Sequence, residues 1–123
     1  MGLYQRIAGG DESVAKIPIW PLINSFGQLL SGEIDQATFA ARYNLDATEQ
    51  VEFGQASAKI QTDIAAVKAD YEAAGFSAAR AEQFAKTWAN AHYKEVLMSA
   101  ECRDHNGATH RDEASWKAEM GIS

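Results

Sequence analysis

The amino-acid sequence predicts an all-α protein with short N-terminal helices, a long antiparallel helical hairpin and a short C-terminal helix. Two long segments carry apolar residues at steps of three and four, which is the spacing of one helix face. Residues that commonly cap helices precede both segments. Alanine is abundant and β-branched residues are sparse after Thr62, a composition that favours helix over strand.

The first short helix is predicted just after two prolines. Pro21 suits the first turn of a helix, because its missing N–H needs no partner there. Ser31-Gly32 then offers a C-terminal stop. The apolar residues between these signals recur at helical spacing: Leu22, Ile23, Phe26, Leu29 and Leu30.

A second short helix is predicted from about Asp35 to Tyr43. Asp35 can cap it, and Asn44 tolerates the left-handed conformation that ends a helix. Its apolar side consists of Ala37, Phe39, Ala40 and Tyr43.

The two long helices of the predicted hairpin follow. Asp46 with Glu49 is a D-x-x-E variant of the capping box, and Gly75 is a natural stop for this third helix. Ser77 then caps a fourth helix that runs to about Ala100. The apolar stripe of the third helix is Phe53, Ala56, Ile60, Ile64, Val67 and Tyr71. The fourth contains Phe84, Trp88, Ala91, Tyr93, Val96 and Leu97.

Composition divides the chain into three parts: an N-terminal arm over 1–16, a helical domain over 17–100, and a polar loop with a short helix over 101–123. Thr109 with Asp112 can cap that last helix, which presents Trp116 and Met120.

Five apolar residues are candidates for binding a partner. Leu3, Tyr4 and Ile7 belong to the arm, which docks on a neighbouring subunit, folds back on its own core or is a disordered terminus. Trp20 and Trp116 lie near the ends of the ordered region, where an aromatic side chain is either part of the core or an anchor into a partner.

Charge and cysteine content exclude several classes of protein. Seventeen acidic against eleven basic residues give a formal charge of −6, which repels phosphate backbones, so nucleic acid is not an expected partner. The single cysteine, Cys102, excludes an internal disulfide. Apolar runs are too short for a membrane helix and the N-terminus lacks a secretory core, so we expect a cytoplasmic origin and no membrane partner.

Catalytic motifs are absent from the sequence, and we predict neither an enzyme nor a bound cofactor. Cys102, His105 and His110 have zinc-ligand chemistry, with Asp104 or Asp112 as a possible fourth ligand. Their C-x2-H-x4-H spacing matches no standard zinc module, and a polar loop with incidental histidines is the favoured interpretation. A small metal-dependent enzyme is the alternative.

The stretch from Ala40 to Val51 has the apolar spacing of a helix-turn-helix, with Leu45 after the turn and Asn44 in place of the usual glycine. The second helix of that motif would carry acidic residues and no Lys or Arg before Lys59. A DNA-binding regulator is therefore the alternative function rather than the leading one. The residues that this second helix would offer to DNA are Asp46, Thr48, Glu49 and Glu52, and none of them is basic.

Residues 16–55 resemble a group of small tailed-bacteriophage proteins encoded near tail-fibre genes. Those proteins begin with Ile-Pro and a helix, continue with a short helix, and enter a longer helix through a Leu-Asp-Ala step. The matching residues here are Ile17, Pro18, Phe26, Gly32, Ile34, Phe39, Leu45, Asp46, Ala47 and Glu49. The resemblance implies a non-enzymatic virion component and supplies no catalytic residues.

These observations lead to the expectation of a bacteriophage virion accessory protein, made in the host bacterial cytoplasm and located in the virion. It would bind other virion proteins of the tail, neck or capsid and form a homo-oligomer. An isolated two-helix hairpin cannot bury both of its apolar stripes, so other helices or a second copy must cover them.

Overall fold

The computed structural model describes residues 2–9, 16–102 and 105–123. Within these ranges the chain forms six helices and no strand. They are α1 (Leu3–Ala8), α2 (Ile19–Ser31), α3 (Gln36–Arg42), α4 (Ala47–Ala73), α5 (Ala78–Glu101) and α6 (Glu113–Met120). The all-α prediction, with its long hairpin of α4 and α5, is confirmed.

Local residues cap α3 and α4 and end α2 where the sequence predicts. The Asp35 side chain accepts a hydrogen bond from the Thr38 backbone N–H at 2.8 Å, which caps α3. Asp46 and Glu49 form a complete capping box at the start of α4. Gly32, which ends α2, has a φ of 84°, a conformation that glycine adopts without strain.

The turn between α4 and α5 allows the two long helices to pack along each other. Gly75 has a φ of 101° there, and the Ser77 hydroxyl caps α5 by accepting a hydrogen bond from the Arg80 N–H at 3.3 Å. α5 is the central helix and also contacts α1, α2 and α6. Its buried face is rich in small side chains, which let several helices approach: Ala81, Ala85, Ala89 and Ala100.

The buried face of α5 differs from the stripe that the sequence predicts. Ala91 is exposed, and Trp88 lies at the surface, where its ring stacks on His92 with centroids 5.1 Å apart. In the first half of α5, small residues occupy the buried positions, namely Ala81, Ala85 and Ala89, and Trp88 lies beside that face at the surface. Tyr93, Val96 and Leu97 are buried as expected.

Both ends of the chain fold onto the core of the central hairpin. A single cluster of buried residues includes Leu3 and Ile7 from α1 as well as Trp116 and Met120 from α6. The expected separation into arm, helical domain and C-terminal segment therefore does not correspond to separate cores. α1 forms because its apolar residues recur at helical spacing, so that one face can pack on α5 and α6.

The far end of the hairpin extends beyond the other helices. Among residues 65–84, which we call the distal hairpin end, Ala81 alone is buried. Tyr71, Phe76 and Phe84 form a small aromatic cluster there, with neighbouring ring centroids 5.2 to 5.6 Å apart. In the described part of the chain, no helix is long and apolar enough to span a membrane.

Candidate interaction surfaces

The structure separates the five predicted partner-binding residues into two groups. Leu3, Tyr4, Ile7 and Trp116 are buried in the protein's own core, and the Trp116 side chain is 0% exposed. Trp20, in the first turn of α2, is 67% exposed. A free arm and a surface anchor would leave these four residues exposed. They are buried instead, because the monomer itself supplies the apolar contacts that they need.

We call the groove that receives α1 the α1 seat; it is formed by α4, α5 and α6. Arg6 attaches α1 to the start of α4. Its guanidinium donates to Glu49 Oε1 at 2.9 Å and to the backbone carbonyl of Tyr43 at 2.8 Å. Glu49 is 1% exposed, so this ion pair lies inside the protein. The same Glu49 oxygen accepts the Asp46 backbone N–H at 3.0 Å, which links the α1 seat to the α4 cap.

A second buried carboxylate holds the other end of α1. Glu52 Oε1 accepts a hydrogen bond from the Leu3 backbone N–H at 2.9 Å. This N–H belongs to the first turn of α1, where no helical carbonyl is available. Lys117 on α6 approaches the other Glu52 oxygen at 3.8 Å, so one side chain joins three helices.

Tyr4 connects α1 to the C-terminal part of the chain. Its hydroxyl lies 2.8 Å from Thr109 Oγ1 and donates to the Arg111 carbonyl at 3.0 Å. Its ring packs against Trp116 with centroids 5.6 Å apart. The α1 seat therefore combines apolar packing with polar contacts along the length of α1.

A small cavity lies in the core next to the α1 seat. Its volume is about 30 Å³, and residues of all six helices line it, among them Leu3, Phe26 and Trp116. Two buried polar atoms at the α1 seat, Glu49 Oε2 and Trp116 Nε1, have no hydrogen-bond partner. Asn90 Oδ1 on α5 is likewise buried without a hydrogen-bond partner, so such atoms are not confined to the α1 seat.

A polar network also crosses the hairpin between α4 and α5. Lys59 Nζ donates to Asp63 Oδ2 and to Tyr93 Oη, both at 2.9 Å, and the Tyr93 hydroxyl donates to the same carboxylate. Burial alone would lower the pKa of Lys59, but these two hydrogen bonds outweigh it and raise the pKa. Burial would raise the pKa of Asp63, yet hydrogen bonds from Tyr93 and Lys59 hold it below its ordinary value. Burial and the bond to Asp63 raise the pKa of Tyr93.

The three candidate metal ligands do not form a metal site with one another. Cys102 and His110 line one open cleft of about 280 Å³ beside α5, whereas His105 lies exposed in the following turn. No group of three or more metal-binding side chains occurs among the residues described. Asp104, the possible fourth ligand, lies outside them, and Asp112 instead caps α6 by accepting the Ser115 N–H.

The helix-turn-helix stretch corresponds to α3, a turn and the start of α4. Phe39 on α3 stacks on Phe53 of α4 with centroids 4.5 Å apart. Glu49 and Glu52 point inward, so they do not present charge to an outside partner as the sequence suggested. The exposed positions of this first part of α4 are neutral instead: Ala47, Thr48, Gln50 and Val51.

Sequence reasoning did not assign inter-helix contacts to Arg6, Glu49 and Glu52. The sequence did contain a signal for the burial of the two acids. Glu49 and Glu52 continue the three- and four-residue spacing of the apolar stripe that includes Ala56 and Ile60. Acidic residues on an apolar face indicate buried carboxylates that need a partner. Nothing in the sequence around Arg6 predicted its contact with Glu49.

Comparisons with protein-family models, with curated proteins and with solved structures find no match for this chain.

Proposed function

We propose that this chain is a non-enzymatic bacteriophage virion accessory protein that binds other virion proteins of the tail, neck or capsid and self-associates. It would be made in the host bacterial cytoplasm and located in the virion, with neither nucleic acid nor membrane as a partner. The observation that carries this proposal is the exposure of Trp20 on a protein whose other candidate anchors are buried.

Trp20 has the properties of an interface anchor. A tryptophan side chain contributes a large rigid apolar area, and tryptophan is enriched among the residues that dominate binding energy. The residue next to it, Pro21, is also exposed, so the first turn of α2 presents an apolar surface. The same turn lies inside residues 16–55, the segment that resembles the phage proteins.

The distal hairpin end is a second exposed apolar surface. Phe76 is 42% exposed, and most of the alanines around it are exposed as well. This part of the chain has a net charge of only −1, because Lys68 and Arg80 stand against Asp70, Glu72 and Glu82. The rest of the chain carries −5 of the total charge of −6, so contact through the distal hairpin end avoids most electrostatic repulsion between copies.

The proposal is tested by producing the chain together with its neighbouring genes and isolating the resulting particles. We expect the protein to sediment with particles, and Trp20→Ser to reduce this at least about ten-fold, as for the loss of an anchor residue. Val51→Ser is the matched control, since Val51 is 63% exposed but lies on α4. Absence of the wild-type protein from particles would refute the virion assignment.

A helix-turn-helix-like DNA-binding regulator remains the second candidate. It is favoured by one observation: of the three acids that opposed it, Glu49 and Glu52 are buried and only Asp46 is exposed. The exposed face of α4 still offers no Lys or Arg near its start. Titration with random duplex DNA at low salt separates the candidates, because a regulator binds DNA under these conditions and a virion accessory protein of this charge does not.

A further inference from the structure

The central helix α5 has one face that its neighbouring helices leave open. Successive residues of a helix turn by about 100°, so positions 80, 84, 88, 91, 95 and 98 lie within an arc of about 80°. Each of these side chains is partly or fully exposed. We call this surface the α5 outer face, and its residues are Arg80, Phe84, Trp88, Ala91, Glu95 and Met98.

The N-terminal half of the α5 outer face is bulky and carries a positive charge. The Arg80 guanidinium lies 5.9 Å from the centroid of the Phe84 ring. Phe76, in the connection before α5, packs against Phe84 with centroids 5.3 Å apart and is 42% exposed. This half therefore offers aromatic rings and a cation to an outside partner.

The C-terminal half of the same face is recessed and carries an acid. The open cleft of about 280 Å³ lies here, and Ala91 and Glu95 are among its lining residues. The Glu95 side chain is 61% exposed and pairs with Arg111 at 3.0 Å. A carboxylate has about four acceptor sites, so Glu95 can receive a second cation from outside. Lys94 also lines the cleft, but it points about 100° away from Glu95 around the helix.

A two-fold rotation brings the two unlike halves together. Let two copies of α5 lie antiparallel and cross between residues 87 and 88. Residues equally far from the crossing then meet, so Arg80 faces Glu95 of the second copy and Phe84 faces Ala91. Phe76, beside Phe84, comes to the cleft that begins at Ala91. A two-fold interface makes each of these contacts twice.

We propose that two copies associate through the α5 outer face as an antiparallel dimer that crosses at Trp88. A second copy is the fitting occupant, because this face supplies both members of each pair: a ring with a recess, and a cation with an acid. Trp88 is 36% exposed and lies at the centre of the contact, where the residues that dominate binding energy usually concentrate. The dimer rests on the self-association in the proposed function and names its surface.

Charge reversal tests the pairing of Arg80 with Glu95. In Arg80→Glu alone, or Glu95→Arg alone, like charges meet twice in each dimer. We expect the dissociation constant from analytical ultracentrifugation to rise at least about ten-fold for each variant. When the two variants are mixed, a dimer with one copy of each regains both opposite-charge contacts. The mixture should therefore associate nearly as strongly as the wild type, and a change within one chain cannot produce this rescue.

Lys86→Glu is the matched control for charge reversal. It makes the same charge change as Arg80→Glu at an exposed residue of α5, on the side of the helix opposite Phe84. We expect it to leave the dissociation constant almost unchanged. Thermal unfolding followed by circular dichroism checks that each variant is folded, in particular Glu95→Arg, which removes the partner of Arg111.

A second test uses shape and does not depend on Glu95. Ala91→Gln extends a side chain into the space that Phe84 of the second copy would occupy. Ala91 is exposed in the monomer, so the fold should persist. We expect self-association to weaken at least about five-fold, as in an overpacked contact. Ala79→Gln is the control, because Ala79 is exposed but lies about 140° from Phe84 around α5.

The possible outcomes separate the dimer from the proposed function. An oligomer that Arg80→Glu and Ala91→Gln leave unchanged would show that self-association uses another surface, and would overturn the α5 dimer alone. Weakened single variants without rescue in the mixture would overturn the antiparallel pairing. A protein that is monomeric at every concentration would overturn both the dimer and self-association. The virion assignment is decided independently, by whether the wild-type protein is found in particles.

Discussion

The proximal and distal parts of α4 both carry charged residues but use them differently. In the proximal half, residues 47–64, every charged side chain contacts another helix: Glu49, Glu52, Lys59 and Asp63. In the distal half, residues 65–73, Lys68 forms an ion pair with Glu72 of the same helix, with the charged atoms 3.9 Å apart. The difference arises because α1, α3 and α6 contact the proximal half, whereas no residue of the distal half is buried.

This contrast shows that the position of a charge in the fold decides its energetic role. Breaking a buried ion pair leaves an uncompensated charge and costs about 3–5 kcal/mol. An exposed pair four residues apart on a helix contributes only about 0.3–0.5 kcal/mol. Substitutions along α4 should therefore have large effects at its proximal half and small ones at its distal half.

The largest effect is expected from Ile64→Asp, at the point where the two halves meet. Ile64 is buried, and a carboxylate there would lose its hydration without gaining a partner, costing about 3–5 kcal/mol of unfolding free energy. Urea unfolding measures this change. Ala65→Asp is the control, because Ala65 is the next residue along and is exposed; we expect a cost of less than about 1 kcal/mol. Equal costs at both positions would show that Ile64 does not lie in the core.

Glu49→Ala should have the next largest effect. It removes the buried partner of Arg6 and one half of the capping box of α4, which together predict a loss of about 2–4 kcal/mol. Glu72→Ala removes an acid from the distal half and should change the unfolding free energy by less than about 0.5 kcal/mol. The comparison of proximal and distal halves fails if the two variants unfold at the same urea concentration.

The network of Lys59, Asp63 and Tyr93 predicts a moderate dependence of stability on pH. Because the folded pKa of Asp63 is lowered, its contribution is present above the unfolded pKa of about 3.9 and is lost as pH falls through the folded value. Because the folded pKa of Lys59 is raised, its contribution is present below about pH 10.4 and is lost as pH rises through the folded value.

Asp63→Asn tests this prediction. Thermal unfolding across the acid range should show a shallower loss of stability for the variant than for the wild type. The loss should not vanish, because Asp35, Asp46 and Asp112 cap helices and also have lowered pKa values. If the wild type and the variant lose stability equally as the pH falls, the hydrogen bonds between α4 and α5 do not stabilise the charged form of Asp63.

The smallest effect is expected from Lys68→Ala in the distal half. Lys68 pairs with Glu72 across one helical turn in contact with solvent. The lost pair and the gain in helix propensity nearly cancel, so the unfolding free energy should stay within about 0.5 kcal/mol of the wild type. Salt titration of both proteins measures whether any difference is electrostatic, since added salt screens an exposed pair. A loss above 1 kcal/mol would indicate that an unrecognised contact covers this half.

Much of the fold could be predicted from the sequence, because helix boundaries depend on local chemistry. Asp46 with Glu49, Ser77 and Gly75 begin or end helices through contacts within a few residues. The apolar stripe of α4 was equally visible, and Ala56, Ile60 and Ile64 are indeed buried. The function stays a prediction that rests on a resemblance and on the exposure of Trp20.

Only the tertiary structure decided which faces are covered and which charges are inside. Periodicity shows that a helix has an apolar face, but it does not show whether the neighbour is α1, α6 or solvent. Trp88 therefore lies outside while alanines line the centre of α5, and Arg6 reaches Glu49 across 43 positions of the chain. Such pairings depend on the balance between burial and desolvation after all helices have packed, and no local stretch of sequence contains that information.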